Sequence, residues 1–259
     1  MMAMNLLRSL ALAFSSFSKI PMPQVEWSEQ NMRYLMCCFP AIGVAIGLCL
    51  AVWCWLAGSA GFGPFLFGAG IALIPLAVTG GFHLDGFCDV VDAQSSHADP
   101  ARKRKILKDP RIGAFAAMGA AAYLLAYAAF ASELSPSWQL AVILGGMHVC
   151  SRCLSGIATV SFPTSASKGM LSMFHESAES RHTLVALAAE LIVCSVLMAL
   201  AHPASLVLPW VGILCLALLY PFAKRQFGGM SGDLAGFFLQ VAELAMLVAL
   251  VLVLKAVPL

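Results

Sequence analysis

Charge is what this chain has least of. Its 259 residues include 15 Lys and Arg and 13 Asp and Glu, so 11% are charged against 61% hydrophobic, with mean hydropathy +0.88. Soluble domains carry about a quarter charged residues. A water-soluble globular enzyme and a disordered chain are thereby excluded. The formal charge of +2 supplies no basic face, so no nucleic acid is implied. Paired metal motifs are missing too. Cys150 and Cys153 form a CxxC, but no second CxxC or His pair follows, and most of the cysteines lie in apolar stretches as small hydrophobes. His148, His175 and His182 lack metal-ligand spacing, and the Gly-rich run 228–236 lacks the GK[ST] ending of a P-loop. Residues 1–20 have no convincing signal-cleavage site, so this stretch reads as an amphipathic segment lying on the membrane surface.

What the chain has in excess is long apolar sequence. Windows of about 20 residues predict an all-α, polytopic membrane bundle of about seven transmembrane helices, near 34–56, 62–80, 114–131, 139–160, 184–201, 205–222 and 236–254. Lys19, Arg33, Arg102, Lys103, Arg104, Lys105, Lys108, Arg111, Lys168, Arg181, Lys224 and Arg225 all fall on one side of that map. Lys255 alone falls on the other. The positive-inside rule then predicts a cytoplasmic N-terminus, with every long polar loop in the cytoplasm. The whole of 1–259 reads as one membrane domain, with an interfacial segment at 1–33 and a cytoplasmic acidic–basic loop at 81–113.

That loop holds the chemistry. Gly80-Gly81-Phe82-His83-Leu84-Asp85-Gly86-Phe87-Cys88-Asp89-Val90-Val91-Asp92 sets three carboxylates at i, i+4 and i+7. On a helix they share an arc of about 60°. Grouped carboxylates repel unless a cation lies between them, and a hard divalent ion, Mg²⁺ above all, favours substrates with phosphates. The plainer reading is a solvated acidic face. In Lys108-Asp109-Pro110-Arg111 the alternating charges suit a phosphate grip as well as a membrane anchor, whereas Arg102 to Lys105 need be no more than an anchor. Arg152, Glu190 and Glu243 lie inside predicted spans and must face the bundle or a wet cavity. All are expected in the cytoplasmic part of their spans. Arg152 and Glu190 read equally as an internal ion pair. Asp233 in Gly228-Gly229-Met230-Ser231-Gly232-Asp233 is expected at a helix start.

These blocks resemble the cobalamin synthase family, the adenosylcobinamide-GDP ribazoletransferases. The 80–92 stretch looks like the family's GG-h-H/E-x-DG-h-x-D-x-x-D. Lys108-Asp109-Pro110-Arg111-Ile112-Gly113 is similar to its KDsRIG, with Pro110 where a small polar residue is usual. Ser151-Arg152 and the 228–233 run match two further blocks, Ser231 standing in a GGxTGD pattern, and Gln240 and Glu243 sit where the family shows a polar or acidic pair. The resemblance implies transfer of the phosphocobinamide moiety of adenosylcobinamide-GDP to α-ribazole or its 5′-phosphate. GMP is released, and adenosylcobalamin or its phosphate is formed, in a bacterial inner membrane with the active site facing the cytoplasm. It implies Mg²⁺ held by Asp85, Asp89, Asp92 and Asp233, and phosphate contacts from Lys108, Arg111 and Arg152. The base would be His83 or a carboxylate, with Asp109 and Glu243 in support and the ribazole 5′-oxygen as nucleophile. Two other readings are open. A CDP-alcohol phosphotransferase would need D-x₂-DG-x₂-AR spacing, which is not matched, and an ion-coupled transporter would need broken helices at the midplane and polar residues at mid-depth, whereas the acids here crowd the cytoplasmic edge. The small-residue third span, with Gly119 and Ala120 to Ala122, permits a homo-oligomer.

Overall fold

The computed structural model describes residues 2–165 and 180–258. Lys168 and His175 lie outside the described residues. The described chain is helical. It begins with α1 (Met2–Phe17), the short α2 (Glu29–Met32) and α3 (Leu35–Cys38), then α4 (Pro40–Ala60), α5 (Pro64–Thr79), α6 (Phe82–Ser95) and α7 (Pro100–Ile106). It continues through α8 (Ala114–Ala131), α9 (Trp138–Ser161), α10 (Ser180–Ala201), α11 (Val207–Phe227) and α12 (Gly232–Ala256).

Six helices are long and apolar enough to cross a membrane, and seven if α5 and α6 count as one broken span. The seven expected spans agree with this except at the second. Its sixteen residues in α5 rise only about 24 Å, short of a ~30 Å hydrocarbon core. Gly80 (φ 64°) and Gly81 (φ 82°) then take left-handed conformations, and α6 leaves at 98° to α5. The acidic stretch is therefore a separate helix turned across the end of the bundle.

The bundle is arranged around α9. In its best apolar window 78% of residues are buried, against 17–44% for the other five candidate spans. That burial explains why α9 tolerates His148, Ser151, Arg152, Ser155 and Thr159, all buried, on one helix. α4 runs along α9, α10 covers another flank, and α12 packs on α6, α9 and α11. The α4–α9 crossing is backbone on backbone. A Cβ added at Gly47 would lie 2.8 Å from the Cα of Gly145. Apolar side chains gain little by leaving lipid for each other, so close backbone packing of this kind supplies the helix association.

The basic residues gather with the acidic helix at one end. Lys103, buried, donates to Gln94 Oε1 (2.9 Å) and Gln226 Oε1 (2.6 Å), and Arg104 donates to the Phe227 carbonyl at the end of α11 (2.9 Å). These two do more than anchor, since they tie α7 to α6 and α11. At the opposite end Lys255 pairs with Glu133 (2.7 Å), which explains the lone basic residue there. The cysteines are all free thiols, and Cys150 faces Cys194 of α10 across 3.2 Å.

Substituting Gly47→Ala should force α4 and α9 apart and cost about 1–3 kcal/mol. It should read as a lower thermal midpoint in detergent. An unchanged midpoint would mean that the crossing is looser than described.

Candidate active site

The site begins where α6 crosses the start of α12. Gly86 and Gly236 make the crossing. A Cβ at Gly86 would lie 2.8 Å from the Asp233 carbonyl oxygen, and one at Gly236 would lie 2.8 Å from the His83 carbonyl oxygen. No larger residue lets the helices approach so closely. α12 starts as expected, with the Ser231 hydroxyl accepting from Leu234 N (3.3 Å) and Asp233 in the first turn. The crossing brings Asp233 to the carboxylates of α6. Burial, then the charges of Asp233, Asp85 and Asp92 in that order, push Asp89 up to about 6. Asp85 is exposed, while Asp89 and Asp233 are half-buried.

Asp92 has a different task. Its Oδ2 accepts from Gly113 N (2.6 Å) and its Oδ1 from Ala116 N (2.8 Å). It therefore caps the N-terminus of α8 from a neighbouring helix, where the helix dipole also favours a carboxylate. Gly113 has no Cβ because one would lie 2.5 Å from that carboxylate. Asp92, expected as a ligand beside the other three, thus also has a structural task, with one hydrogen bond to each oxygen. Among the described residues no three His, Cys, Asp or Glu side chains stand close enough to hold a metal ion by themselves.

Through Asp92 the 107–113 loop is docked on the acidic helix. Asp109 and Arg111 form a two-pronged pair (2.8 and 2.9 Å), and Asp109 also accepts from Arg111 N (3.1 Å). The Arg111 hydrogen bonds hold the Asp109 carboxyl down to about 2. A hollow of about 380 Å³ opens between them, lined by Asp92, Ser95, Asp109, Arg111 and Phe115. Arg111, on its rim, and the neighbouring Lys108 are both exposed.

Arg152 is not among them. It is 1% exposed, and its Nη1 contacts Glu243 Oε1 (2.8 Å) and the His148 carbonyl (2.9 Å). Ser151 also donates to Glu243 Oε1 (2.8 Å). Arg152 thus holds α9 to α12, and the expected phosphate contact gives way to an internal ion pair. Its partner is Glu243 and not Glu190, which lines an apolar groove between α4, α9 and α10. Nor is the pair at the edge of the span. At ~1.5 Å per residue it lies about 14 Å from the Ser161 end of α9, near mid-depth. His83, the expected candidate base, is 3% exposed, and its Nε2 has no hydrogen-bond partner among the described residues.

The sequence reading also missed residues. Lys103 looked like one of four anchor charges, and nothing in its spacing marks the two glutamines that bind it. Lys19 drapes over the Gly80 hinge, where a Cβ would meet its side chain at 2.3 Å. Only the fold brings it there.

A family model described as cobalamin-5-phosphate synthase matches residues 9–251 of the chain. A relative from Lachnoclostridium phytofermentans, named adenosylcobinamide-GDP ribazoletransferase, is 38% identical over 93% of this chain and 92% of its own. Proteins of the same name from Clostridium botulinum and Geobacillus kaustophilus are 30% and 28% identical, over 93% and 90% of this chain and 95% and 90% of their own. No solved structure matches.

Two substitutions separate structural from chemical roles. Arg152→Ala strands the Glu243 carboxylate and should cost about 3–5 kcal/mol, while replacing Arg152 and Glu243 together by methionine should cost less. A wild-type thermal midpoint for Arg152→Ala would return this residue to the substrate. Asp92→Ala should cost about 0.5–2 kcal/mol as a lost cap and speed amide exchange at 113–116, with Asp92→Asn intermediate. Unaltered exchange there would refute the capping role.

Proposed function

The chain belongs to the cobalamin-5-phosphate synthase family, and on that footing we propose that it transfers the phosphocobinamide group of adenosylcobinamide-GDP to ribazole or its 5′-phosphate. GMP is the leaving group. The observation that carries this reading is the glycine crossing of α6 and α12, which sets Asp85 and Asp89 beside Asp233 at the end of an apolar bundle. Hard oxygen donors grouped in this way suit a pyrophosphate substrate accompanied by a divalent cation.

The donor set fits Mg²⁺ as that ion is usually bound, through one or two carboxylates completed by phosphate oxygens and water. The shortage of a third protein ligand is then no objection, since the substrate's pyrophosphate supplies the rest. Asp89 and Asp233 are the residues that would hold it, with Asp85 on the exposed side. When bound, the ion neutralises charge on the phosphates and on the departing GMP.

The protein's own groups do the remainder. Lys108 and Arg111 reach for phosphate oxygens from the docked loop, Arg111 exchanging its Asp109 partner for the substrate. A ribose hydroxyl attacks the cobinamide-bearing phosphorus as the bond to the GMP phosphate oxygen breaks, and the hydroxyl proton passes to a carboxylate of the cluster. The 5′-oxygen cannot be the general nucleophile, because the 5′-phosphate is also an acceptor and its 5′-oxygen is blocked. A different ribose hydroxyl therefore attacks, and the 5′-position points away. The exposed carboxylates are better placed than buried His83 to take the proton. We further propose that this end of the bundle faces the cytoplasm, following the basic residues gathered there, and that the host membrane is the bacterial inner membrane.

Purified protein in liposomes, given Mg²⁺, adenosylcobinamide-GDP and ribazole 5′-phosphate, should release GMP and form the joined corrinoid in equal amounts. Asp89→Ala and Asp233→Ala should each lower kcat at least about a hundredfold, as expected when electrostatic stabilisation of the transition state is removed, while leaving the protein folded. Wild-type turnover in either variant would remove that residue from the chemistry. GMP release without acceptor would indicate a pyrophosphate hydrolase instead.

A further inference from the structure

When Arg111 turns to a phosphate, it leaves a carboxylate behind. Asp109 then loses one guanidinium donor from each oxygen, at 2.9 and 2.8 Å. A charged carboxylate left bare beside a pyrophosphate is repelled by it. Water reaches Asp109 while the hollow is open, but a substrate that fills the hollow displaces that water. The substrate must therefore bring donors of its own, and two side by side would replace the two that leave.

The hollow has the size for such a group. It measures about 380 Å³, against about 150 Å³ for a cavity that takes a benzene ring, so a purine with its ribose fits. Ile106, Ile112 and Phe115 give it apolar walls. Ile112 is 69% exposed and Phe115 55%, so both have surface to offer a ligand. Ser95 and Asp109 supply the polar edge, while the other carboxylate, Asp92, is turned to the N–H groups of Gly113 and Ala116. The hollow also lies at a suitable distance from the acidic cluster. Ser95 is six residues beyond Asp89, or about 9 Å along α6, which is the reach of a nucleotide from phosphate to base.

We infer that this hollow seats the guanine of the donor, with Asp109 accepting from the N1–H and the 2-amino group on the edge of the base. The assignment rests on the transferase reading above and adds to it the place of the leaving nucleotide. Among the ring systems in the reaction, guanine alone presents two adjacent N–H donors, which match the two carboxylate oxygens as a guanidinium does. Adenine, carried on the cobalt, offers one amino group beside a ring nitrogen that itself accepts. The benzimidazole of ribazole has no N–H once a nitrogen carries the ribose, so it gives Asp109 nothing. A corrin ring is far too large. Binding is then a double exchange. Arg111 passes from Asp109 to phosphate as guanine arrives at Asp109, and no charge is left without a partner. The apolar walls meet the flat faces of the base, Phe115 through its ring. Asp109 is thereby the residue that chooses the base of the donor.

The test compares GMP with IMP, which differs only in lacking the 2-amino group, by calorimetry on the full chain in liposomes with Mg²⁺. The wild type should bind GMP about tenfold more tightly, the effect of one hydrogen bond to a charged acceptor. In Asp109→Asn the ratio should fall to within about twofold. Both nucleotides carry the same phosphate, so any change at Arg111 cancels from the ratio. Ser95→Leu narrows the hollow and leaves Asp109 in place. It should weaken GMP at least about fivefold with inorganic pyrophosphate bound as in the wild type, and it covers the case in which Asp109→Asn fails to fold. A GMP preference kept in Asp109→Asn would overturn the inference, as would GMP bound undiminished by Ser95→Leu. Equal affinity of the wild type for GMP and IMP, or binding of neither, would overturn it too. Turnover separates this inference from the transferase reading. A preference for GMP that depends on Asp109 supports the hollow even if no corrinoid product is ever formed. Product formation with that preference unchanged in Asp109→Asn overturns the hollow and leaves the transferase standing.

Discussion

Everything at the site depends on two helices touching without side chains between them. Gly86 on α6 and Gly236 on α12 are positions where a Cβ would stand within 3 Å of the other backbone. Carboxylates on separate helices repel, and the apolar gain of packing is small where lipid is the alternative solvent. The crossing must therefore be held by shape. Once it is closed, Asp89 feels Asp233 more strongly than it feels the aspartates of its own helix. The site is thus a property of a crossing and not of a helix face. Three aspartates on one strip would exist in an isolated peptide, but the pair formed with Asp233 would not.

Around that crossing the chain divides its polar residues by task, and sequence spacing does not reveal the division. Asp85, Asp89 and Asp92 repeat at helical intervals and look equivalent. In space the third turns to the start of α8, where two backbone N–H groups take both its oxygens. Capping by a residue 21 positions upstream of Gly113 leaves no local trace, because a cap is normally sought just before the helix it serves. The same holds for Lys103, bound by glutamines on α6 and α11. What was legible was whatever a periodicity or a turn residue enforces. The apolar windows located the spans, Gly80-Gly81 marked a helix end, and Ser231 with Asp233 marked a helix start.

The second span shows where hydropathy reading runs out. The 62–80 window is apolar enough, but apolarity does not say whether a helix completes its crossing. α5 stops after 16 residues and the chain turns through 98°. This break matters to function. A continued straight helix would have carried His83, Asp85 and Asp89 away from α12, whereas the turn lays them across its first residues.

The Arg152–Glu243 pair bears on the transporter alternative, for which charges at mid-depth are the expected mark. Such charges are present, near the middle of α9 and α12. Their arrangement argues against ion passage. Glu243 Oε1 receives Arg152, Ser151 and a close approach of His148 Nδ1 at 3.1 Å, so its charge is matched by the guanidinium of Arg152. An ion site needs a charge left over for the ion, and the neighbouring cavity of about 20 Å³ holds no more than a water. A buried charge pair between two helices is instead a register device. Sliding α12 by one turn along α9 would separate Arg152 from Glu243 inside the apolar bundle, at a cost of several kcal/mol. Since α12 also carries Asp233 and Gly236, the depth at which the pair locks is the depth at which Asp233 meets α6. The buried charges hold the acidic site in register from below.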